Sequence, residues 1–201
     1  MSRLGTTILA VCLMAPGVAL AGPLHDAARA GDLPLVEKLI AEGVPVDDRD
    51  DLGETPLMAA ALAGQTLIVE KLAARYHADV TARNDRGMTA LHAAAFNGDL
   101  MSVEYIVYRG GADMDDAQSK FGVTPLIVAA EENNGMVLAY LVSYGADKEI
   151  TERHGYTALT RAGYHGHDEI ITMLLTAGAA CQEIDPIWFK ECSARKAALH
   201  H

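Results

Sequence analysis

Apolar and polar positions recur along this 201-residue chain at intervals of 33 to 35 residues. The register is set by a short element, Gly22-Pro23-Leu24, that returns as Thr55-Pro56-Leu57, Thr89-Ala90-Leu91, Thr124-Pro125-Leu126 and Thr157-Ala158-Leu159. Nine positions after its first residue stand Gly31, Gly64, Gly98, Asn133 and Gly166. Fourteen after it stand Val36, Val69, Val103, Leu138 and Ile171, and seventeen after it Leu39, Leu72, Ile106, Leu141 and Leu174. Twenty-one after it stand Gly43, Tyr76, Gly110, Gly145 and Gly178. Five copies of one pattern in register mark a repeat architecture, in which one supersecondary unit stacks on copies of itself.

Each copy predicts two short helices. Thr is a favoured N-cap, and Pro suits the next position, where no N–H is needed. Leu-x-x-Ala-Ala then makes one apolar face, with Ala allowing close approach of a neighbouring helix. Gly, or Asn133, ends the helix in the left-handed conformation. A second helix comes next with its Val and Leu positions turned inward. Another Gly ends it, and an Ala-Asp pair opens an extended turn toward the next copy. Helices of two to three turns are marginal alone in water, so stability has to come from stacking along the array.

These residues resemble those of an ankyrin-repeat protein: the Thr-Pro-Leu-His-like element, the Ala-Ala, the Gly and the Gly-Ala-Asp recur five times. The resemblance covers residues 22–184 and implies an all-α solenoid of stacked helix-turn-helix units with short β-hairpin loops. The repeats are expected near 22–50, 51–84, 85–119, 120–152 and 153–184. The chain departs from the family pattern in places. His25 and His92 keep its histidine, whereas Met58, Ile127 and Thr160 replace it. An extra residue precedes Ala78-Asp79 and Ala112-Asp113, and one more lies between Asp113 and Gly122. Loops of unusual shape are expected in units two and three, with a longer hairpin entering unit four.

The N-terminus reads differently. Arg3 is the only charge before Asp26, the run Ile8–Met14 is apolar, and Ala19-Leu20-Ala21 places small residues ahead of a cut between Ala21 and Gly22. That is the plan of a cleavable secretory signal peptide over residues 1–21. Export to a bacterial periplasm is the expectation, because the chain has no N-x-Ser/Thr acceptor. The leader carries one positive charge, so the chain's net −11 becomes −12 after cleavage. Such an acidic balance argues against a nucleic-acid partner. No other stretch is long enough to span a membrane, so no stable insertion is expected after cleavage.

Two cysteines remain in the exported chain, Cys181 and Cys192, and an even pair in an oxidising compartment reads as a disulfide. Residues 185–201 fall outside the repeat. Asp185-Pro186 reads as N-cap and first turn of a final capping helix, with Trp188 and Phe189 covering the open end of unit five.

Catalytic chemistry is hard to place. There is no Gly-rich phosphate loop, no zinc-type cysteine spacing and no Gly-x-Ser-x-Gly. His154 and His165, with nearby acids, form the best polar cluster and keep open a metal-dependent enzyme or sensor. His167 sits where the family commonly carries a structural histidine. The paired acids are Asp47-Asp48-Asp50-Asp51, Asp115-Asp116 and Glu131-Glu132; the first two runs read chiefly as loop residues that satisfy local backbone N–H groups, and all could steer a basic partner to the surface. The expectation is a non-enzyme with no cofactor and no metal.

The resemblance also implies a binding face, made of hairpin tips and outer positions of the first helices. Mapped residue by residue, it offers Arg86, Met88, Phe96, Arg109, Phe121, Tyr144, Arg153, His154, Tyr156, Tyr164 and His165. Five of the chain's eleven aromatic residues fall on this face, and aromatics and Arg are the usual anchors of protein interfaces. The expected function is therefore a periplasmic protein–protein interaction module. It would either inhibit a toxic envelope-targeting enzyme in the manner of an immunity protein, or support a periplasmic enzyme. The latter is what resemblance to exported bacterial ankyrin proteins linked with catalase and peroxide defence implies. A structural spacer without a client is a third class.

Overall fold

Thr55, Thr124 and Thr157 each open a helix by accepting the backbone N–H three residues on, from Met58, Ile127 and Thr160 at 3.2–3.4 Å. Thr89 does the same within a capping box whose return arm is His92: Nδ1 lies 3.3 Å from the Thr89 amide. The structure, a computed structural model, describes residues 22–199. The expected leader, residues 1–21, and the tail His200-His201 lie outside the described residues.

Backbone packing divides the chain into two units, meeting at Asp113 and Met114. The first contains three helix pairs. These are α1 (Pro23–Ala30) with α2 (Leu33–Ala41), α3 (Pro56–Leu62) with α4 (Thr66–Glu70), and α5 (Ala90–Asn97) with α6 (Leu100–Glu104). The second unit contains α7 (Pro125–Glu131) with α8 (Gly135–Ser143), α9 (Ala158–His165) with α10 (Asp168–Thr176), and a last helix α11 (Pro186–Ala198). Within the first unit α3 packs against both α1 and α5, and within the second α7 packs against α9 and α8 against α10. The repeating Leu and Ala positions are what these contacts bury: Leu24, Leu57, Leu91, Ala60 and Ala94 in one unit, Leu126, Leu159, Ala129 and Ala162 in the other, all at most 1% exposed. The fold is all-α, as expected of an ankyrin-repeat solenoid.

Among the described residues no β-strand forms. The expected hairpins are tight turns, each closed by a polar side chain five residues before the N-cap Thr. Asp50 Oδ1 accepts from Leu52 and Glu54, Asn84 Oδ1 from Arg86 and Met88, and Ser119 Oγ from Val123. The acidic loop residues serve a second purpose, as stitches between successive repeats. Asp47 Oδ1 accepts the Asp79 amide, Asp115 Oδ1 the Asp147 amide and Glu149 Oε1 the Ala180 amide, all at 2.8–2.9 Å.

The extra residues before Ala78 and Ala112 are placed differently from the expectation. They do not reshape a loop; they widen the last turn of the second helix. Helix α4 continues as a π-helical turn over Lys71–Arg75, and α6 as another over Tyr105–Arg109. The bond that closes each second helix shows the change. It runs from Val44 to Leu39, Ala146 to Leu141 and Ala179 to Leu174, but from Ala78 to Leu72 and Ala112 to Ile106. One added residue is absorbed by one added place in the ring, so Leu72 and Ile106 keep their buried positions. The register at Tyr76 shifts with it: His77, not Tyr76, takes the left-handed conformation, with φ 55°. Asn133 adopts the same conformation at φ 60°, as expected where it replaces Gly.

In α11 the Asp185 carboxylate caps the Ile187 and Trp188 amides, and Trp188 is buried while Cys192 is fully enclosed. Cys181 and Cys192 are joined as a disulfide, which ties α11 to the end of the last helix pair.

Candidate interaction site

In the first unit the mapped residues scatter. Arg86 is partly exposed on the second hairpin, and Phe96 is partly exposed near the end of α5. Arg109 is exposed at the end of the α6 π-turn, about 6.0 Å from the Tyr108 ring. Met88 is placed otherwise: it is 1% exposed. Its amide and carbonyl close the hairpin onto Asn84, which turns its side chain into the core. Glu54 and Val123, at the same place in their repeats, are buried as well, so this position serves packing in those three repeats.

In the second unit three of the mapped residues, His154, Tyr156 and Tyr164, meet in one cluster. Tyr156 and Tyr164 meet edge to face, with centroids 5.2 Å apart, and Tyr164 remains half exposed. His154 stacks along Tyr156 at 6.4 Å. Arg153 is exposed, and its amide donates to the Phe121 carbonyl of the preceding hairpin at 2.7 Å. Phe121 is partly exposed. Tyr144 is exposed at the end of α8 and pairs with Tyr140, centroid to centroid 4.4 Å.

Beneath these rings lies a charged group outside the mapped positions. Arg161 stands four residues after its Thr, where the three preceding repeats carry Ala59, Ala93 and Val128 and the first carries Asp26. Its guanidinium lies 5.3 Å from the Tyr156 ring centre and 3.5 Å from Glu152 Oε1. The other Glu152 oxygen pairs with His154 Nδ1 at 2.9 Å. Glu152 is thus the hairpin-closing residue of its repeat and an anchor for Arg161 and His154 together. A charged side chain among small apolar ones was the signal in the sequence; its burial is visible only in three dimensions.

Glu131 ends α7, with Glu132 directly after it. The Glu131 side chain is 2% exposed, and His165 Nε2 lies 3.7 Å from its Oε1, beyond hydrogen-bond reach. Neither Glu131 Oε1 nor Glu132 Oε1 has a hydrogen-bond partner, and both are buried. Burial raises the Glu131 pKa; Arg161 opposes the rise and Glu152 adds to it. Burial and the neighbouring Glu131 raise that of Glu132. Burial lowers the pKa of His165, and His167 and Arg161 lower it further, which favours the neutral imidazole. His167 bonds the Glu131 carbonyl through Nε2 at 3.0 Å. That contact joins α7 to the next repeat, the structural duty expected of this histidine.

Among the described residues no group of three or more His, Cys, Asp or Glu side chains is arranged to hold a metal ion. No helix there is long and apolar enough to cross a membrane. The arrangement offers instead an aromatic shelf over buried, unevenly neutralised charge, which suits recognition of another molecule's surface.

Comparison with known proteins agrees with this architecture. The chain aligns at 30% identity over 167 residues with the ankyrin repeat protein nuc-2 of Neurospora crassa, covering 82% of this chain and 16% of that protein. It aligns at 42% identity over 59 residues with ankyrin repeat and SAM domain-containing protein 6 of Mus musculus, and equally with that of Rattus norvegicus. Those matches cover 29% of this chain and 7% of each relative. The chain therefore spans less than a fifth of the length of these relatives. The family model for ankyrin repeats (three copies) matches residues 24–117 and again 95–185. With nearly the whole described chain inside those two matches, the protein belongs to the ankyrin-repeat family, a family of protein–protein interaction modules.

Proposed function

We propose that this protein is an exported, non-enzymatic adaptor that grips one client protein through its hairpins and first helices, chiefly those of the second unit. The observation that carries the reading is the Tyr156–Tyr164 pair, which packs on Arg161 yet leaves Tyr164 half exposed. Core packing does not call for a half-exposed ring, whereas a rigid aromatic anchor lowers the entropy lost on binding. Phe121, Arg153 and His154 extend the face beside it; Arg86, Phe96 and Arg109 offer a smaller set on the first unit. Met88 is left to the core.

Export to the periplasm is supported by the leader-like residues 1–21 and by the Cys181–Cys192 disulfide, since such bonds persist in oxidising compartments. The client is either a toxic envelope enzyme that the adaptor inhibits or a periplasmic enzyme, such as one of peroxide defence, that it supports. Capture from periplasmic extract tests the reading, using wild type beside a Phe121→Ala/Tyr156→Ala/Tyr164→Ala variant. The wild type is expected to recover a stoichiometric client that the variant loses. Equal recovery by both, or none by either, refutes it.

A further inference from the structure

We infer that the C-terminal end of α7, where the buried Glu131 lies beside His165 and Glu132 follows it, receives a cationic side chain, arginine or lysine, from the client; this rests on the interaction reading above.

The local charge is incomplete in one direction. Glu131, Glu132 and Glu152 are three carboxylates served by one buried guanidinium, Arg161. Glu152 holds that guanidinium at 3.5 Å and has His154 as well. Glu131 shares the Arg161 charge and has the His165 imidazole at 3.7 Å, yet its Oε1, like that of Glu132, makes no hydrogen bond. Leaving a buried carboxylate oxygen unpaired is costly. The carbonyls of Val128, Ala129 and Glu131 at this end of α7 already accept from Glu132, Asn134 and His167, so an arriving cation is met by the two carboxylates.

The approach is lined for such a group. His165 Nε2 lies 3.7 Å from Glu131 Oε1, and the ring is 23% exposed while Glu131 is 2% exposed, so the imidazole is the nearest group between the carboxylate and solvent. Arg161 already occupies one aromatic partner, the Tyr156 ring, while Tyr164 keeps half its surface free to face an arriving guanidinium or ammonium. The net charge, −11 for the chain and −12 once the leader is removed, adds a long-range field that draws basic surfaces.

The test uses the whole chain and two small probes, N-acetyl-arginine methylamide and its neutral isostere N-acetyl-citrulline methylamide. Ring resonances of His165, Tyr156 and Tyr164 are followed by NMR during titration. Saturable shifts with the arginine probe are expected, with affinity at least about tenfold weaker for the citrulline probe and for Glu131→Gln/Glu132→Gln. Glu132→Gln alone, at a partly exposed position, is expected to retain the wild-type fold and fall between. Equal shifts with both probes, or wild-type affinity in the double and single variants, overturn the inference. Client capture separates the two levels. Recovery by Glu131→Gln/Glu132→Gln equal to wild type, with loss in the aromatic variant, removes the cation site and leaves the adaptor reading intact. Saturable arginine binding without any captured client does the reverse.

Discussion

The indole of Trp188 rests against the backbone of α9 at Gly163, so closely that a Cβ on residue 163 would fall 2.5 Å from Cζ2 and Cζ3 of the ring. An interior helical glycine ordinarily costs about 1 kcal/mol relative to alanine. Here it makes room for the one tryptophan of the chain, which covers the end of the last helix pair. Gly163→Ala is therefore expected to destabilise, by about 1–3 kcal/mol as in overpacked cores, despite its better helix propensity. Trp188→Leu in the same chain should relieve much of that loss. Thermal unfolding of the two single variants and the double checks it; a stabilised Gly163→Ala contradicts the packing.

The Cys181–Cys192 bond closes a loop of eleven residues. Chain-entropy arguments assign such a closure about 2–3 kcal/mol. Reduction is expected to lower the melting temperature and to loosen α11 first, reported by a red shift of Trp188 fluorescence before the remaining helices unfold. An unchanged melt in reductant contradicts this.

Glu131 makes stability depend on pH in a definite direction. Its folded-state pKa lies above the ordinary value of 4.5, chiefly through burial. Such a group holds its proton more tightly when folded. The advantage is complete below the unfolded value and disappears as pH rises through the raised folded value. Glu131→Gln should therefore be the more stable protein at pH 7, by about 1 kcal/mol or a few degrees in melting temperature, with the difference vanishing near about pH 4. His165 acts oppositely, since its pKa is lowered from 6.5: it favours the folded state as pH climbs to that value. A wild type more stable than Glu131→Gln at pH 7 contradicts the picture of an under-neutralised carboxylate.

His77 is exposed and left-handed, with φ 55°. That conformation costs a residue with a Cβ about 1–2 kcal/mol, against about 0.5–1 for the added freedom of glycine when unfolded. His77→Gly should raise stability by roughly 0.5–1 kcal/mol in a denaturant melt. A loss of stability would mean the imidazole has a role beyond the turn.

The repeat, its caps and its core were legible because each rests on local chemistry. Thr55, Thr124 and Thr157 cap the helices they precede, and Leu24, Leu57 and Leu91 are apolar at one spacing. Asn133 takes the glycine's place because Asn tolerates the same backbone region. The cap over the last pair was readable from Asp185, Pro186 and Trp188, but its seat on Gly163 was not. The π-turns were not legible because an inserted residue does not announce whether a loop or a helix takes it up. Leu72 and Ile106 settle that by staying buried at the expense of helical regularity. Met88 resembled a surface position by register alone, and hairpin closure at Asn84 turned it inward. Arg161 and the paired acids Glu131-Glu132 stand out in a linear reading, but only the stacking of α7 on α9 makes them a buried, uneven cluster.

The adaptor reading is tested most directly by hydrogen–deuterium exchange on the full chain with and without its captured client. Protection is predicted over the hairpins at 119–123 and 152–156 and the ends of α7 and α9, including Glu131, Tyr164 and His165. Protection confined to the outer helices α8 and α10, around Met136 and Met173, with those hairpins unchanged, would contradict it.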